Sequence, residues 1–233
     1  MLAMDIAIIT GGSRGLGEAL TEGLVALGWQ VVIDGRDAAA VHATAARLGP
    51  RVHPVPGDVT DPTHRGALVA EADRLGGLDL LVNNASTLGP SPLPQLRDLP
   101  LAAFEEVLRT NVVAPLGLIQ EALPLLVRSG GTVIDVTSDA AVEGYAGWGG
   151  YGASKAALEQ LSNVLAAEEP EVRVWWVDPG DMRTQMHAEA FPGEDISDRP
   201  EPREVVPALR RLLSERPPSG RVRATDLRGA VTS

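Results

Sequence analysis

The sequence predicts an α/β fold, a doubly wound parallel sheet of about seven strands with helices on both faces. Three observations carry that expectation. Short apolar runs rich in branched residues alternate with helix-like segments along the 233 residues, and βαβ order of this kind builds a parallel sheet. The first run, Asp5-Ile6-Ala7-Ile8-Ile9, is nearly continuous and suits a strand buried on both faces. It passes straight into Thr10-Gly11-Gly12-Ser13-Arg14-Gly15-Leu16-Gly17, a glycine-rich turn that opens an amphipathic helix near Leu16.

Taken in order, strands are expected at Asp5–Thr10, Gln30–Asp34, Arg51–Pro56, Leu78–Asn83, Thr132–Thr137, Val172–Val177 and Arg221–Ala224. Helices are expected at Gly15–Leu27, Ala38–Leu48, Pro62–Leu75, a long one over Leu101–Arg128, then Gly152–Glu168 and Arg203–Glu215. No repeat or low-complexity linker interrupts them, so residues 1–233 read as a single domain. Beyond about 226 a short C-terminal tail remains, a candidate for disorder. The segments Gly89–Pro100 and Pro192–Pro202 follow strands four and six. Loops beyond the carboxyl ends of strands line the crevice of such a sheet, so both are candidate substrate walls, with plain surface loops as the alternative.

Composition narrows the function classes. Apolar residues make up 44% and aromatics 3%, so the core must be built from Ala, Val, Leu and Ile. A net charge of −11 argues against a nucleic-acid backbone or an anionic membrane as partner. The chain has no cysteine, which excludes disulfides, thiolate catalysis and cysteine-based zinc sites. The four histidines share no metal-ligand spacing and read as surface residues. No apolar run of transmembrane length and no basic leader stand out, and cytoplasm is the expected location.

The glycine turn leaves unpaired N–H groups at a helix N-terminus, where the helix dipole adds to their pull on anions. Glycines there let a pyrophosphate approach the backbone. Farther on, Tyr151-Gly152-Ala153-Ser154-Lys155 opens the fifth helix. Residues four apart sit one above the other, so phenol and ammonium point the same way. A phenol near pKa 10 is a poor acid–base at neutral pH, and a cation within about 4–6 Å lowers it by roughly one to three units. Ser138, after Val133-Ile134-Asp135-Val136, stands at the carboxyl end of a strand, where its hydroxyl faces the same crevice.

Those residues, with others in the same order, resemble the short-chain dehydrogenase/reductase family over nearly the whole length. The motifs are Thr10-Gly11-x-x-x-Gly15-x-Gly17, Asp58-Val59, Asn83-Asn84-Ala85, Asn111, Ser138, Tyr151-x-x-x-Lys155 and Pro179-Gly180. The resemblance implies a Rossmann-type fold and an oxidoreductase that interconverts a carbonyl and an alcohol. Tyr151 would be the general acid or base, Ser138 would hold the substrate oxygen, and Lys155 would bind the nicotinamide ribose and lower the Tyr151 pKa. Asn111 would be the fourth member. Pro115 lacks the N–H that its carbonyl would use in a helix, so that carbonyl is expected to hold a water in a proton relay to Lys155, with a plain proline kink as the alternative.

The resemblance also implies a cofactor site of Thr10, Gly11, Ser13, Arg14, Gly15, Leu16, Gly17, Arg36, Asp58, Val59, Asn83, Ala85, Tyr151, Lys155, Pro179, Gly180, Met182 and Thr184. Asp58 would meet the adenine amino group, or else cap a turn. Counted from Gly17, the place where NAD-preferring relatives carry an acid falls on Gly35, and Arg36 stands where NADP-preferring relatives have a base. Two guanidinium groups, Arg14 and Arg36, suit a 2′-phosphate, so NADP(H) is expected over NAD(H). Asp34 is the complication, because pointed inward it could take a ribose hydroxyl. Ser86 stands where the family has glycine, with a changed backbone or no effect both open.

Substrate-wall candidates are Leu88, Asp139, Ala140, Tyr145, Trp148, Met186 and a loop over about 185–202. Its five acids against Arg199 fit a solvated lid or a cationic substrate. The partner implied is a small carbonyl or alcohol, with no nucleic acid and no membrane. Relatives pair their last two long helices, so a homodimer or homotetramer is expected, although Leu158, Leu161 and Leu165 could instead face the sheet. A catalytically silent cofactor-bound sensor or scaffold is the alternative function, and the retained Tyr151 and Lys155 argue against it. A halohydrin dehalogenase fits poorly, because such lyases lack the glycine turn and carry arginine in place of Lys155.

Overall fold

A computed structural model describes residues 5–228. Its elements run β1 (Ile6–Ile9), α1 (Gly15–Ala26), β2 (Gln30–Ile33), α2 (Ala38–Leu48), β3 (Val52–Pro54), α3 (Pro62–Leu75) and β4 (Leu80–Asn83). They continue with α4 (Leu101–Leu108), α5 (Ala114–Ser129), β5 (Thr132–Val136), α6 (Gly149–Glu168), β6 (Arg173–Asp178), α7 (Gln185–Ala190), α8 (Val206–Glu215), β7 (Gly220–Arg223) and α9 (Ala224–Arg228). The seven strands form one parallel sheet in the order β3-β2-β1-β4-β5-β6-β7. β1 lies at the centre, pairing Ile9 with Ile33 of β2 on one side and with Val82 of β4 on the other.

The continuous apolar strands follow from helices on both faces. Because strand side chains alternate, Ala7 and Ile9 join Leu20 of α1, Val41 of α2 and Leu209 of α8 in one layer. Ile6 and Ile8 join Leu68 of α3 and Leu118, Ala122 and Leu126 of α5 in the other. The chain runs from β1 through β2 to β3 with α1 and α2 on one face and returns from β3 to β4 through α3 on the other, which leaves a crevice above the carboxyl end of β1.

The expected long helix is interrupted. Between α4 and α5 the chain makes a π turn over Arg109–Val113, in which the Ala114 N–H donates to the Arg109 carbonyl five residues back. Pro115 sits in the first turn of α5, where its missing N–H is tolerated, and the wider turn absorbs the mismatch. By length and composition alone the span Leu101–Ser129 could cross a membrane, which corrects the reading that no such run exists. Its apolar face, however, packs Leu118, Leu125 and Leu126 against the sheet. Leu158 and Leu165 of α6 also face inward, whereas Val113 and Val164 remain exposed.

Other departures are local. The last strand ends at Arg223, and Ala224 begins α9, so the expected tail is helical through Arg228 and its remainder lies outside the described residues. The expected substrate loop contains α7, capped by the Thr184 hydroxyl accepting from the His187 N–H. Six residues with mixed polarity gave no periodic signal to find it by.

Candidate active site

At the end of β1 the turn is set by sterics. Gly11 has φ +65°, and a Cβ on Gly17 would sit 2.2 Å from the Gly11 carbonyl oxygen, so α1 can close on the turn only with glycine there. Thr10 fastens β1 to β4, its hydroxyl oxygen accepting from the N–H groups of Asn84 and Ala85 at 3.0 Å each. The α1 N-terminus therefore faces a cleft of about 870 Å³, within the range of ligand pockets.

The cleft is lined at one end by Gly11, Ser13, Arg14, Gly15, Leu16, Arg36, Asp58 and Val59, and centrally by Ala85, Ser86, Pro179, Gly180, Met182 and Thr184. Arg14 and Arg36 are both exposed at its mouth. Asp34 is fully buried. One of its oxygens accepts from the Gly11 N–H at 2.6 Å and the other meets His64 Nε2 at 3.1 Å, so the carboxylate is engaged within the chain. Burial pushes the Asp34 pKa up, against the pull of His64 and Gly11. Burial also acts upward on Asp58, but hydrogen bonds from Thr60 and the charge of Arg36 carry it below the usual carboxylate range. Those bonds make Asp58 a turn residue as well as a cleft residue.

At the other end Ser138, Tyr151 and Lys155 converge from β5 and α6. A Cβ on Gly152 would meet the Ala140 carbonyl oxygen at 2.5 Å, so glycine lets α6 close on the turn that carries Ser138. Arg221 of β7 locks that turn, donating to the Ser138 carbonyl at 3.1 Å and to Glu159 at 2.9 Å. The Ser138 hydroxyl donates to Asp139 Oδ1 at 2.9 Å. Lys155 is 2% exposed, with its Nζ donating to the Val136 carbonyl at 2.7 Å and lying 5.5 Å from the Tyr151 ring centroid.

The expected lowering of the phenol by Lys155 is corrected here. Burial pushes the Tyr151 pKa above the usual tyrosine range, Asp139 and Asp178 add to the rise, and the hydroxyls of Ser86 and Ser138 pull the other way. Burial also pushes Lys155 down to about 8, partly offset by Asp135. The ammonium is a desolvated group in its own right and does not act simply as an external field on the phenol.

Four residues expected at the site do not line the cleft: Thr10, Gly17, Asn83 and Asn111. Thr10 and Gly17 shape the turn from behind. The Asn83 amide donates to buried Asp135 at 2.7 Å, joining β4 to β5. Asn111, placed by the π turn, accepts from the Thr87 N–H at 2.9 Å and donates to the Thr87 carbonyl at 2.8 Å and the Ser154 hydroxyl at 3.0 Å. It ties the β4 loop to α6.

The histidine reading holds for His42, which is exposed, and needs correction for the other three. His64 is buried against Gly57 and Asp34, His53 meets Gln30 and Glu71, and the His187 ring lies tilted against Phe191 with centroids 4.9 Å apart. An imidazole is amphipathic enough for a core, and only long-range contacts reveal that placement. On the substrate side, Leu88, Ala140 and Ala190 pack around Tyr151, with Trp148, Met186 and Phe191 behind them. Tyr145 is half exposed and donates to Asp139 at 3.0 Å without lining the cleft.

The family described as short chain dehydrogenase matches residues 5–195. Serine 3-dehydrogenase of Rhizobium radiobacter is 36% identical over 183 residues, covering 77% of this chain and 72% of that protein. Among solved structures, an alcohol dehydrogenase from the archaeon Thermococcus sibiricus complexed with 5-hydroxy-NADP superposes with a TM-score of 0.85 at 27% identity, covering 94% of this chain and 95% of that one. A Shigella flexneri chain complexed with NADP superposes with a TM-score of 0.88 at 28% identity, covering 96% and 98%.

Proposed function

The chain belongs to the short chain dehydrogenase family, and from that premise we propose that it is an NADP(H)-dependent oxidoreductase interconverting a ketone or aldehyde and an alcohol. The observation that carries the reading is the convergence of the Tyr151 phenol, the Ser138 hydroxyl and the Lys155 ammonium on the cleft that the glycine turn opens into. The residues fit a dinucleotide. The turn at Gly11 and Gly17 is one that a Cβ would fill, and it presents a helix N-terminus to a pyrophosphate.

When bound, the cofactor supplies or accepts a hydride. Ser138 would orient the carbonyl oxygen, and Tyr151 would deliver its phenol proton to that oxygen as negative charge develops there. In the reverse direction the phenolate would take the alcohol proton. Lys155 would bind the ribose hydroxyls and carry the proton supply, with a water on the Asn111 carbonyl completing the relay at the π turn. Leu88, Trp148 and Met186 would hold the apolar part of the substrate and exclude water. Exposed Val113 and Val164 support a homodimer or homotetramer built on α5 and α6.

Arg36 and Arg14 favour the 2′-phosphate, and the carboxylate of Asp34, already engaged by Gly11 and His64, is not free to oppose it. Purified protein mixed with NADPH and a panel of ketones and aldehydes should show loss of nicotinamide absorbance. The Arg36→Ala variant should lose roughly 10- to 100-fold of the NADPH-over-NADH preference, the scale of one charge-assisted hydrogen bond. An unchanged preference would remove the NADP assignment, and tight NADPH binding without turnover across the panel would favour the sensor reading.

A further inference from the structure

Arg221 stands on β7, beyond the residues that match the family, and does not itself line the cleft. Its guanidinium reaches three elements at once. Nε donates to Glu159 of α6 at 2.9 Å, and Nη2 donates both to the Ser138 carbonyl at 3.1 Å and to Asp178 Oδ2 at 3.4 Å. Each acceptor is tied into the site. The Glu159 oxygen that meets Arg221 also accepts from the Thr137 hydroxyl at 2.7 Å, so Thr137 and Ser138 after β5 are held through the same ion pair. Asp178 at the end of β6 turns its other oxygen to the Gly180 N–H at 3.0 Å, where φ is +75°. Its carboxylate thus shapes the Pro179–Gly180 turn, which lines the cleft. The side chains of Glu159 and Asp178 are 12% and 8% exposed. Two carboxylates so far from water need a shared cation, and a planar, forked guanidinium can span them. Arg223 lies 4.0 Å from Asp178, but it is half exposed and beside Glu143.

We propose that Arg221 is a positioning residue that fixes the Ser138 turn on the substrate side against the Pro179–Gly180 turn on the cofactor side. The proposal rests on the reading of Ser138 as the group that orients the carbonyl oxygen. Arg221 acts through the backbone, and no proton passes through it. Holding the Ser138 carbonyl fixes the peptide plane from which the hydroxyl projects, and a misplacement of about 1 Å in such a group costs on the order of 10²-fold in rate. The sheet alone does not make this join. The register of β5 on β6 ends at Val136 and Val177, with one further bond from the Thr137 N–H to the Val177 carbonyl. Ser138 and Asp178 lie just past that ladder. A side chain therefore carries the link, and it comes from β7, on the far side of β6.

Arg221→Lys is the sharpest variant, because it keeps a cation between Glu159 and Asp178, and with it the fold, while giving up the fork. Its Tm should stay near that of the parent. Its kcat for carbonyl reduction at saturating NADPH should fall roughly 10-fold, and the NADPH Kd, read by fluorescence titration, should rise about threefold. Ser138→Ala then separates a role at the site from one in the fold. If Arg221 works through the serine, the double variant Ser138→Ala/Arg221→Lys should be little slower than Ser138→Ala alone, whereas unconnected losses multiply. A lysine variant with the parental kcat or the parental Kd would overturn the proposal, as would multiplied losses in the double variant. The binding titration needs no turnover. A chain inactive on every carbonyl would thus sink the proposed reaction, and the Kd would still decide whether Arg221 holds the cofactor side. A parental rate in Ser138→Ala alone would remove the reading of Ser138, and the proposal with it.

Discussion

The two ends of the cleft are built from different materials. At the dinucleotide end, eight consecutive residues make the turn, and backbone shape does most to set it, through φ at Gly11 and close approach at Gly17, with the Thr10 hydroxyl oxygen accepting two hydrogen bonds from the loop after β4. At the Tyr151 end, groups from the β4 loop, the π turn, β5, α6 and β7 are held by side-chain hydrogen bonds, with Asn111 and Arg221 as the main links. Backbone shape tolerates no added atoms but needs no particular chemistry. Side-chain links tolerate small changes of shape but fail when a single polar group is lost. The first end should therefore break by binding and folding, the second by rate.

The largest effect tests the second half of that contrast. Tyr151→Phe removes one oxygen and should lower kcat by roughly 10²- to 10⁴-fold, the contribution typical of a positioned acid. NADPH affinity, measured by fluorescence titration, should change far less. A loss of affinity as large as the loss of rate would mean that the phenol organises binding, and the two ends would no longer be separable.

Gly17→Ala tests the first half with a smaller change. The added Cβ meets backbone, not the end of a flexible side chain, so α1 or the turn must shift. Overpacking of this kind costs about 1–3 kcal/mol, or about 5 °C in Tm for a chain of this size. The NADPH Kd should rise with it, while kcat at saturating cofactor stays near that of the parent. A variant that binds normally but turns over slowly would reverse the comparison.

The same contrast explains what could be seen in the sequence. Five of the strands were legible because β1, β2, β4, β5 and β6 are local apolar runs. Strands β3 (VHP) and β7 (GRVR) carry one branched residue each and were legible mainly by their place in the alternation of strands and helices. The glycine turn was legible because sterics act between near neighbours. Tyr151 and Lys155 share a helix face, so their spacing carried their meaning. The π turn showed only as Pro115, without its geometry. Asn83 reads as a cleft residue, and its partner Asp135 lies 52 residues away; Asp34 does line the cleft, but its oxygens are engaged by Gly11 and by His64 30 residues on. A polar side chain at a strand end can face the ligand or a neighbouring strand, and local pattern does not distinguish the two. Ser86 was visible only as an unexpected residue, because its acceptor, Asn111 Oδ1, lies in another segment.

The smallest expected effect concerns Lys155, a buried cation at the end of the cleft that should govern rate. The folded chain holds it near 8, against 10.5 ordinarily, because burial penalises the ammonium more than Asp135 relieves it. Between those values the unfolded chain binds the extra proton, so stability must rise with pH there. Above about 10 the raised Tyr151 phenol acts the other way, since the unfolded chain then ionises first, which confines the clean window to roughly pH 8 to 9.5. Across that window urea denaturation should show the parent gaining on the order of 2 kcal/mol, and Lys155→Met, which has no proton to lose, should stay flat by comparison. If both proteins gained equally, the ammonium would have to be as well solvated folded as unfolded, and the end of the cleft assigned to chemistry would be no drier than the end assigned to shape.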